Sequence, residues 1–172
     1  SSGASGTEPR QLLVEIKPNP VTATITLTLA SDPVPYTGLP IKPPVTVNVE
    51  GKTLSAGEYT TTYSNNINAG TATVSVQSVG GNYQFNASTT FEIAKAKATF
   101  VSDPEGKTGL VYTGEPQELI EEFTGISLEG IVVYSQDTVT YSAEIPTGTK
   151  VRTYTIFAKV LGDATHEDSD IK

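Results

Sequence analysis

The sequence predicts an all-β chain made of two small β-sandwich modules in tandem. Three observations carry that expectation. Short runs place apolar residues at every second position, turn signals separate those runs at sandwich-like intervals, and one motif recurs about 76 positions downstream. β-Grasp-like modules, with a helix packed on one sheet, are the alternative.

The first clean run is Ala23–Leu29, where Ala23, Ile25, Leu27 and Leu29 share one face and threonines the other. Val45, Val47 and Val49 alternate with Thr46 and Asn48. Ala72, Val74 and Val76 alternate with Thr73 and Ser75, and Phe91 and Ile93 flank Glu92. Period-two alternation with β-branched residues on the polar face marks half-buried antiparallel strands. The expected inward residues are therefore Ile25, Leu27, Val47, Val74, Val76, Phe91 and Ile93. Farther on, Ile131–Tyr134 and Tyr154–Val160 read as strands, the latter turning Tyr154, Ile156, Ala158 and Val160 to one side. Helical spacing is suggested only briefly, around Gln117–Phe123. Turns are expected at Tyr36-Thr37-Gly38, Glu50-Gly51-Lys52, Ala56-Gly57-Glu58, Asn65-Asn66 and Gly80-Gly81-Asn82, all rich in residues that tolerate tight or left-handed backbone.

The two halves answer each other. Ser31-Asp32-Pro33 leads to Val34-Pro35-Tyr36-Thr37-Gly38, and Ser102-Asp103-Pro104 leads through a longer loop to Leu110-Val111-Tyr112-Thr113-Gly114. Gly70–Val74 is matched by Arg152–Ile156. Two diverged copies explain this pattern. Residues 1–9 read as a flexible linker or expression remnant, 10–94 as the first module and 95–172 as the second. The boundary, Ile93–Phe100, has no Gly, Pro or Ser tract, so one strand should run almost directly into the next. The second module is expected to want its closing strand near Asp170-Ile171-Lys172, either because the chain is cut there or because that strand comes from elsewhere.

Composition excludes several functions. The chain lacks Cys, which removes thiol nucleophiles and thiolate–zinc sites and argues against animal immunoglobulin domains with their inter-sheet disulfide. It also lacks Met, as expected of an excised or processed piece. No apolar run approaches the ~20 residues of a membrane-spanning helix. Net charge is −8. Residues 1–94 hold six acids against four bases, and 95–172 hold thirteen against seven. Without a basic stripe, nucleic acid is not an expected partner.

The first half resembles the tandem immunoglobulin-like repeats of bacterial surface proteins and extracellular enzymes. The likeness rests on Tyr36-Thr37-Gly38, Pro43–Val47, Gly51–Leu54, Gly57–Thr60, Tyr63–Asn66, Asn68–Val74 and Gly81-Asn82-Tyr83, in that order. The second half is similar to a sister repeat through Tyr112–Leu119, Ile145-Pro146-Thr147, Thr153-Tyr154-Thr155 and Gly162-Asp163. It departs at Val151-Arg152, where that family usually shows Ala-Gly. The resemblance implies immunoglobulin-like sandwiches, secretion and modular display as stalks, spacers or adhesive repeats, and it brings no catalytic residues.

Few side chains offer chemistry. The only histidine, His166, lies in the acidic segment Asp163–Asp170, where a solvated loop residue is expected. Glu121–Glu122 and Glu167–Asp168 are adjacent carboxylates, and adjacency does not show the pair facing across a cleft that glycoside hydrolysis needs. Asp163, Glu167, Asp168 and Asp170 offer hard oxygens that would suit calcium, but their spacing is not that of an EF-hand and charge runs are usually solvated. Lys159 and Lys42 lie near apolar strands, as the lysine of a Lys–Asn isopeptide crosslink would, although lysines usually snorkel outward. Tyr83 and Phe85 are the nearest thing to a glycan-binding platform, and the same residues would serve as a core plug. Asn86-Ala87-Ser88 matches a glycosylation sequon, which in a bacterial chain is read as chance.

The expected function is therefore a non-catalytic structural or adhesive spacer of a bacterial cell-surface or secreted protein, with no cofactor. Its expected partners are neighbouring domains of the same protein and a host or cell-wall glycan or protein. A carbohydrate-binding accessory module of an extracellular polysaccharide-degrading protein is the alternative, which an exposed aromatic row would favour. The short boundary predicts an extended crossing, and two stacked modules would span roughly 70–90 Å, visible by small-angle scattering.

Overall fold

A computed structural model describes residues 10–121 and 130–172. The expected linker 1–9, Glu122 and Phe123 lie outside the described residues. Within them the regular structure is β, apart from one 3-10 turn at Ala56–Glu58. No described helix is long and apolar enough to cross a membrane.

The strands in chain order are β1 (Asn19–Pro20), β2 (Ala23–Leu27), β3 (Val34–Pro35), β4 (Val45–Val49) and β5 (Lys52–Thr53). After the 3-10 turn come β6 (Tyr59–Ser64), β7 (Gly70–Ser78), β8 (Tyr83–Gln84), β9 (Asn86–Ala94) and β10 (Ala96–Lys97). Shorter pieces follow, with β11 (Gln117–Glu118), β12 (Val132–Ser135), β13 (Thr147–Gly148), β14 (Phe157–Val160) and β15 (His166–Glu167). A four-stranded sheet has the order β3-β9-β7-β6, and a three-stranded one β2-β4-β5. Two compact units emerge: Ser1–Leu27 with Val45–Thr62 and Val74–Thr89, and Thr28–Pro44 with Tyr63–Thr73 and Thr90–Lys172.

In the first unit the alternation reads correctly. β2 pairs antiparallel with β4, setting Ile25 opposite Val47. The β4–β5 hairpin closes over Glu50 and Gly51, both at positive φ, the geometry that matches strand twist in two-residue turns. Val47, Val49, Leu54, Val76 and Phe85 form a buried cluster, against which Ala23, Ile25, Val45 and Tyr59 pack. The Tyr59 hydroxyl donates to the Val45 carbonyl at 3.2 Å, so the ring serves the core while its polar end is satisfied. Ser55 and Glu58 cap the 3-10 turn reciprocally, the Ser55 amide donating to the Glu58 carboxylate at 2.8 Å.

In the second unit β3 lies parallel to β9, with Val34 opposite Ile93. Phe91 and Ile93 are buried. The Tyr63 hydroxyl donates to the Pro43 carbonyl at 2.7 Å, and buried Asn66 exchanges hydrogen bonds with the Ile41 backbone. β12 pairs antiparallel with β14, burying Val133, Tyr134, Ala158 and Val160. Beside β14, Lys172 exchanges both backbone hydrogen bonds with Ala158, and the Ser169 amide donates to the Val160 carbonyl.

Two expectations fail locally. Gln117–Phe123 is not helical over its described part: Gln117 and Glu118 pair with β13, and Ile120 bridges to Gly106. The strand expected from Tyr154 begins only at Phe157. The Tyr154 hydroxyl instead accepts from the Lys150 amide at 2.9 Å and donates to the Lys150 carbonyl at 3.1 Å, while Arg152 lies 4.3 Å over its ring. A closed local loop has replaced a ladder that has no neighbouring strand here among the described residues. Arg152–Ile156 thus does not match Gly70–Val74 in conformation. The turns of the repeat do match: Thr37 with Leu39, and Thr113 with Glu115, make the same pair of side-chain hydrogen bonds at 3.4 and 3.3 Å. Gly38 and Gly114 follow at φ +76° and +82°, a region that favours glycine.

Candidate functional site

In the second unit, a set of polar contacts surrounds the passage from β9 to β10. Only Lys95 separates those strands. β10 pairs in parallel with β15, with Ala96 opposite His166. The Ala96 amide donates to the Thr165 carbonyl at 3.0 Å and the Ala98 amide to the Glu167 carbonyl at 2.9 Å. Lys95 Nζ donates to the Asp163 carbonyl at 2.6 Å, and Lys97 pairs with Asp170.

The loop receiving these bonds is shaped by Asp163. One of its carboxylate oxygens accepts from the Thr165 amide at 2.7 Å, the Thr165 hydroxyl at 2.9 Å and the His166 amide at 2.8 Å. These donors, the Thr165 amide foremost, hold the Asp163 pKa down to about 2. His166 is half-buried in β15, not the solvated loop residue expected. Its ring meets Tyr36 edge-on, and the Tyr36 amide donates to the Ala94 carbonyl at 2.9 Å.

The four carboxylates considered for calcium do not converge. Asp163 is engaged by its own loop, Asp168 by Lys159 at 2.7 Å and the Gly162 amide at 3.0 Å, and Asp170 by Lys97, while Glu167 is exposed. Among the described residues no group of three or more His, Cys, Asp or Glu could hold a metal ion. Glu121 is exposed and its amide bonds the Glu105 carbonyl.

Phe85 is 6% exposed within the first core, and Tyr83 packs against that core while lining an open trough with Pro18 and Pro20. The two rings therefore plug the unit and do not form an open row. Lys159 is tied to Asp168 and lies 4.6 Å over the Tyr141 ring, partners that include no amide, and Lys42 is exposed. Asn86 and Ser88 are exposed on β9.

Sequence reasoning missed the Tyr36–His166 contact, which no local pattern signals. It also missed that Asp163 and Asp137 are turn-formers. An aspartate followed two or three residues later by threonine was the available sign, since Asx side chains cap nearby amides. Asp137 accepts from the Val139 and Thr140 amides at 2.8 Å each, and these bonds lower its pKa to about 2.

No family model matches the chain, and no curated protein or solved structure matches it.

Proposed function

We propose that the chain is a non-catalytic spacer, structural or adhesive, of a bacterial cell-surface or secreted protein. On this reading residues 10–94 and 95–172 are two immunoglobulin-like sandwich modules. The observation that carries it is the fixed passage at Lys95. The backbone on both sides of that residue is hydrogen-bonded, and its own ammonium is held by the Asp163 carbonyl. A passage of that kind suits a part that transmits position, whereas a tether would need free, solvated backbone. The dispersal of the acidic side chains into turns and ion pairs supports a structural role for them over a chemical one.

Hydrogen exchange tests the reading. The Ala96 and Ala98 amides should be protected to a degree comparable with β4 and β7. Exchange at the rate of free peptide would remove the spacer proposal. Saturable binding to a soluble polysaccharide, lost on Tyr83→Ala, would replace it with the carbohydrate-binding alternative.

A further inference from the structure

We infer that the edge of β6 pairs antiparallel with β6 of a second copy of this chain, about a two-fold axis through Thr61. The inference goes beyond the spacer reading and does not depend on it. It rests on the geometry of that edge and on the symmetry of its sequence.

β6 ends its sheet, in the order β3-β9-β7-β6, so among the described residues no strand lies on its outer side. The Thr60 hydroxyl donates to the Gln77 carbonyl and the Thr62 hydroxyl to the Ser75 carbonyl. These partners run in opposite chain directions, which makes β6 antiparallel to β7. The Val79 amide donates to the Glu58 carbonyl at 2.9 Å. Backbone groups that face one neighbour recur at every second residue. Thr60 and Thr62 therefore turn their backbone toward β7, and Thr61 turns its N–H and C=O outward.

Such an edge is a template for another strand unless something blunts it. At the far end of the same sheet, β3 is two residues long and contains Pro35. β6 has six residues, with no Pro, Gly or charge among them. It is also held in place. The Tyr59 hydroxyl donates to the Val45 carbonyl at 3.2 Å, and Tyr59 and Thr61 are half-buried while Thr60 and Thr62 are exposed. A strand already fixed in its extended form loses little freedom when a neighbour is added.

The sequence selects the neighbour. Tyr59-Thr60-Thr61-Thr62-Tyr63 reads the same in both directions. With two such strands antiparallel about Thr61, every residue meets its own type. Thr61 meets the partner's Thr61, Thr60 meets the partner's Thr62, and Tyr59 meets the partner's Tyr63. The two central residues both face outward, so they exchange a pair of backbone hydrogen bonds. Threonine pairs and aromatic pairs directly opposite each other stabilise a sheet. Both copies use the same surface, so the contact is isologous and closes at the dimer.

Sedimentation velocity of the full chain at rising concentration should show a monomer–dimer equilibrium and nothing larger. Thr60→Lys with Thr62→Lys sets like charges opposite each other twice across the seam and should weaken the dimer about tenfold. The melting temperature should change little, because both side chains are exposed. Thr60→Lys with Thr62→Glu sets each new lysine opposite a new glutamate of the second copy and should restore the dimer. A parallel pair, or an antiparallel pair slipped by two residues, would not bring those charges together. A monomer at every concentration, a dimer indifferent to the lysine pair, or failure of the charge-swap rescue would each overturn the inference.

Discussion

The ring of Tyr36 meets the imidazole of His166 edge-on, with centroids 5.4 Å apart and planes at 82°. Each partner is anchored by its own backbone. Tyr36 donates its amide to Ala94, and His166 donates its amide to the Asp163 carboxylate. The ring contact therefore ties the end of β9 to the turn that presents β15.

Tyr36→Leu keeps bulk but removes the edge-to-face geometry. The expected loss of stability is about 0.5–1.5 kcal/mol, the range measured for aromatic pairs beyond their area burial. Denaturant melts measure it, and the His166 ring protons should shift in the NMR spectrum as the neighbouring ring current disappears.

Gly162→Ala should be more damaging. A methyl there would run into the His166 carbonyl oxygen and lie 2.5 Å from the Glu167 carbonyl carbon. The turn must open, and the Asp163–Thr165–His166 bonds open with it. A loss of about 1–3 kcal/mol is expected, as for other overpacked sites, together with faster exchange of the Ala96 amide.

Acid should loosen the same turn. Asp163 and Asp137 are both held near a pKa of about 2 by amide and hydroxyl donors, and Asp168 is lowered chiefly by its hydrogen bond with Lys159. The unfolded carboxyls titrate at about 3.9, so the unfolded chain binds more protons between the two values. These groups stabilise the fold fully above about pH 5, and that contribution is lost as pH falls through about 4 toward 2. Melts across that window should show a fall that becomes shallower in Asp163→Asn and Asp137→Asn.

Val74→Ala should cost about 1–3 kcal/mol through lost burial and a residual cavity, because Val74 is completely buried. Thr24→Ala, on the exposed face of β2, should change the melt by less than about 0.5 kcal/mol. Equal effects would mean that the two faces had been assigned the wrong way round.

Strand content was readable where each strand had a neighbour. Val47, Val74 and Ile93 declare their inward face by period two, and the structure buries all three. Tyr154 carries the same pattern but lies where no strand among the described residues pairs with it, so local bonds to Lys150 and Arg152's cation decide its backbone. Alternation reports which face is apolar, and it is silent on whether a ladder partner exists. Phe85 shows the same limit from the other side. A loop aromatic after two glycines fits a platform or a plug equally, and only the surrounding Val47, Leu54 and Val76 settle it as a plug. The Asp163 turn depends on spacing too short to stand out among neighbouring acids, and the Tyr36 contact depends on tertiary placement alone.

The parallel pairing of β10 with β15 decides how the passage at Lys95 would meet a pull. The chain enters β10 from Lys95 and leaves β15 toward Asp168, so these two attachment points lie at opposite ends of a parallel pair. Tension between them drags one strand lengthwise past the other. The amide bonds of Ala96 and Ala98 would then be loaded in shear and share the force, where a hairpin pulled from its open end would lose its bonds one after another. In two short strands arranged this way, resistance to such a pull would come from the direction of loading more than from the number of bonds.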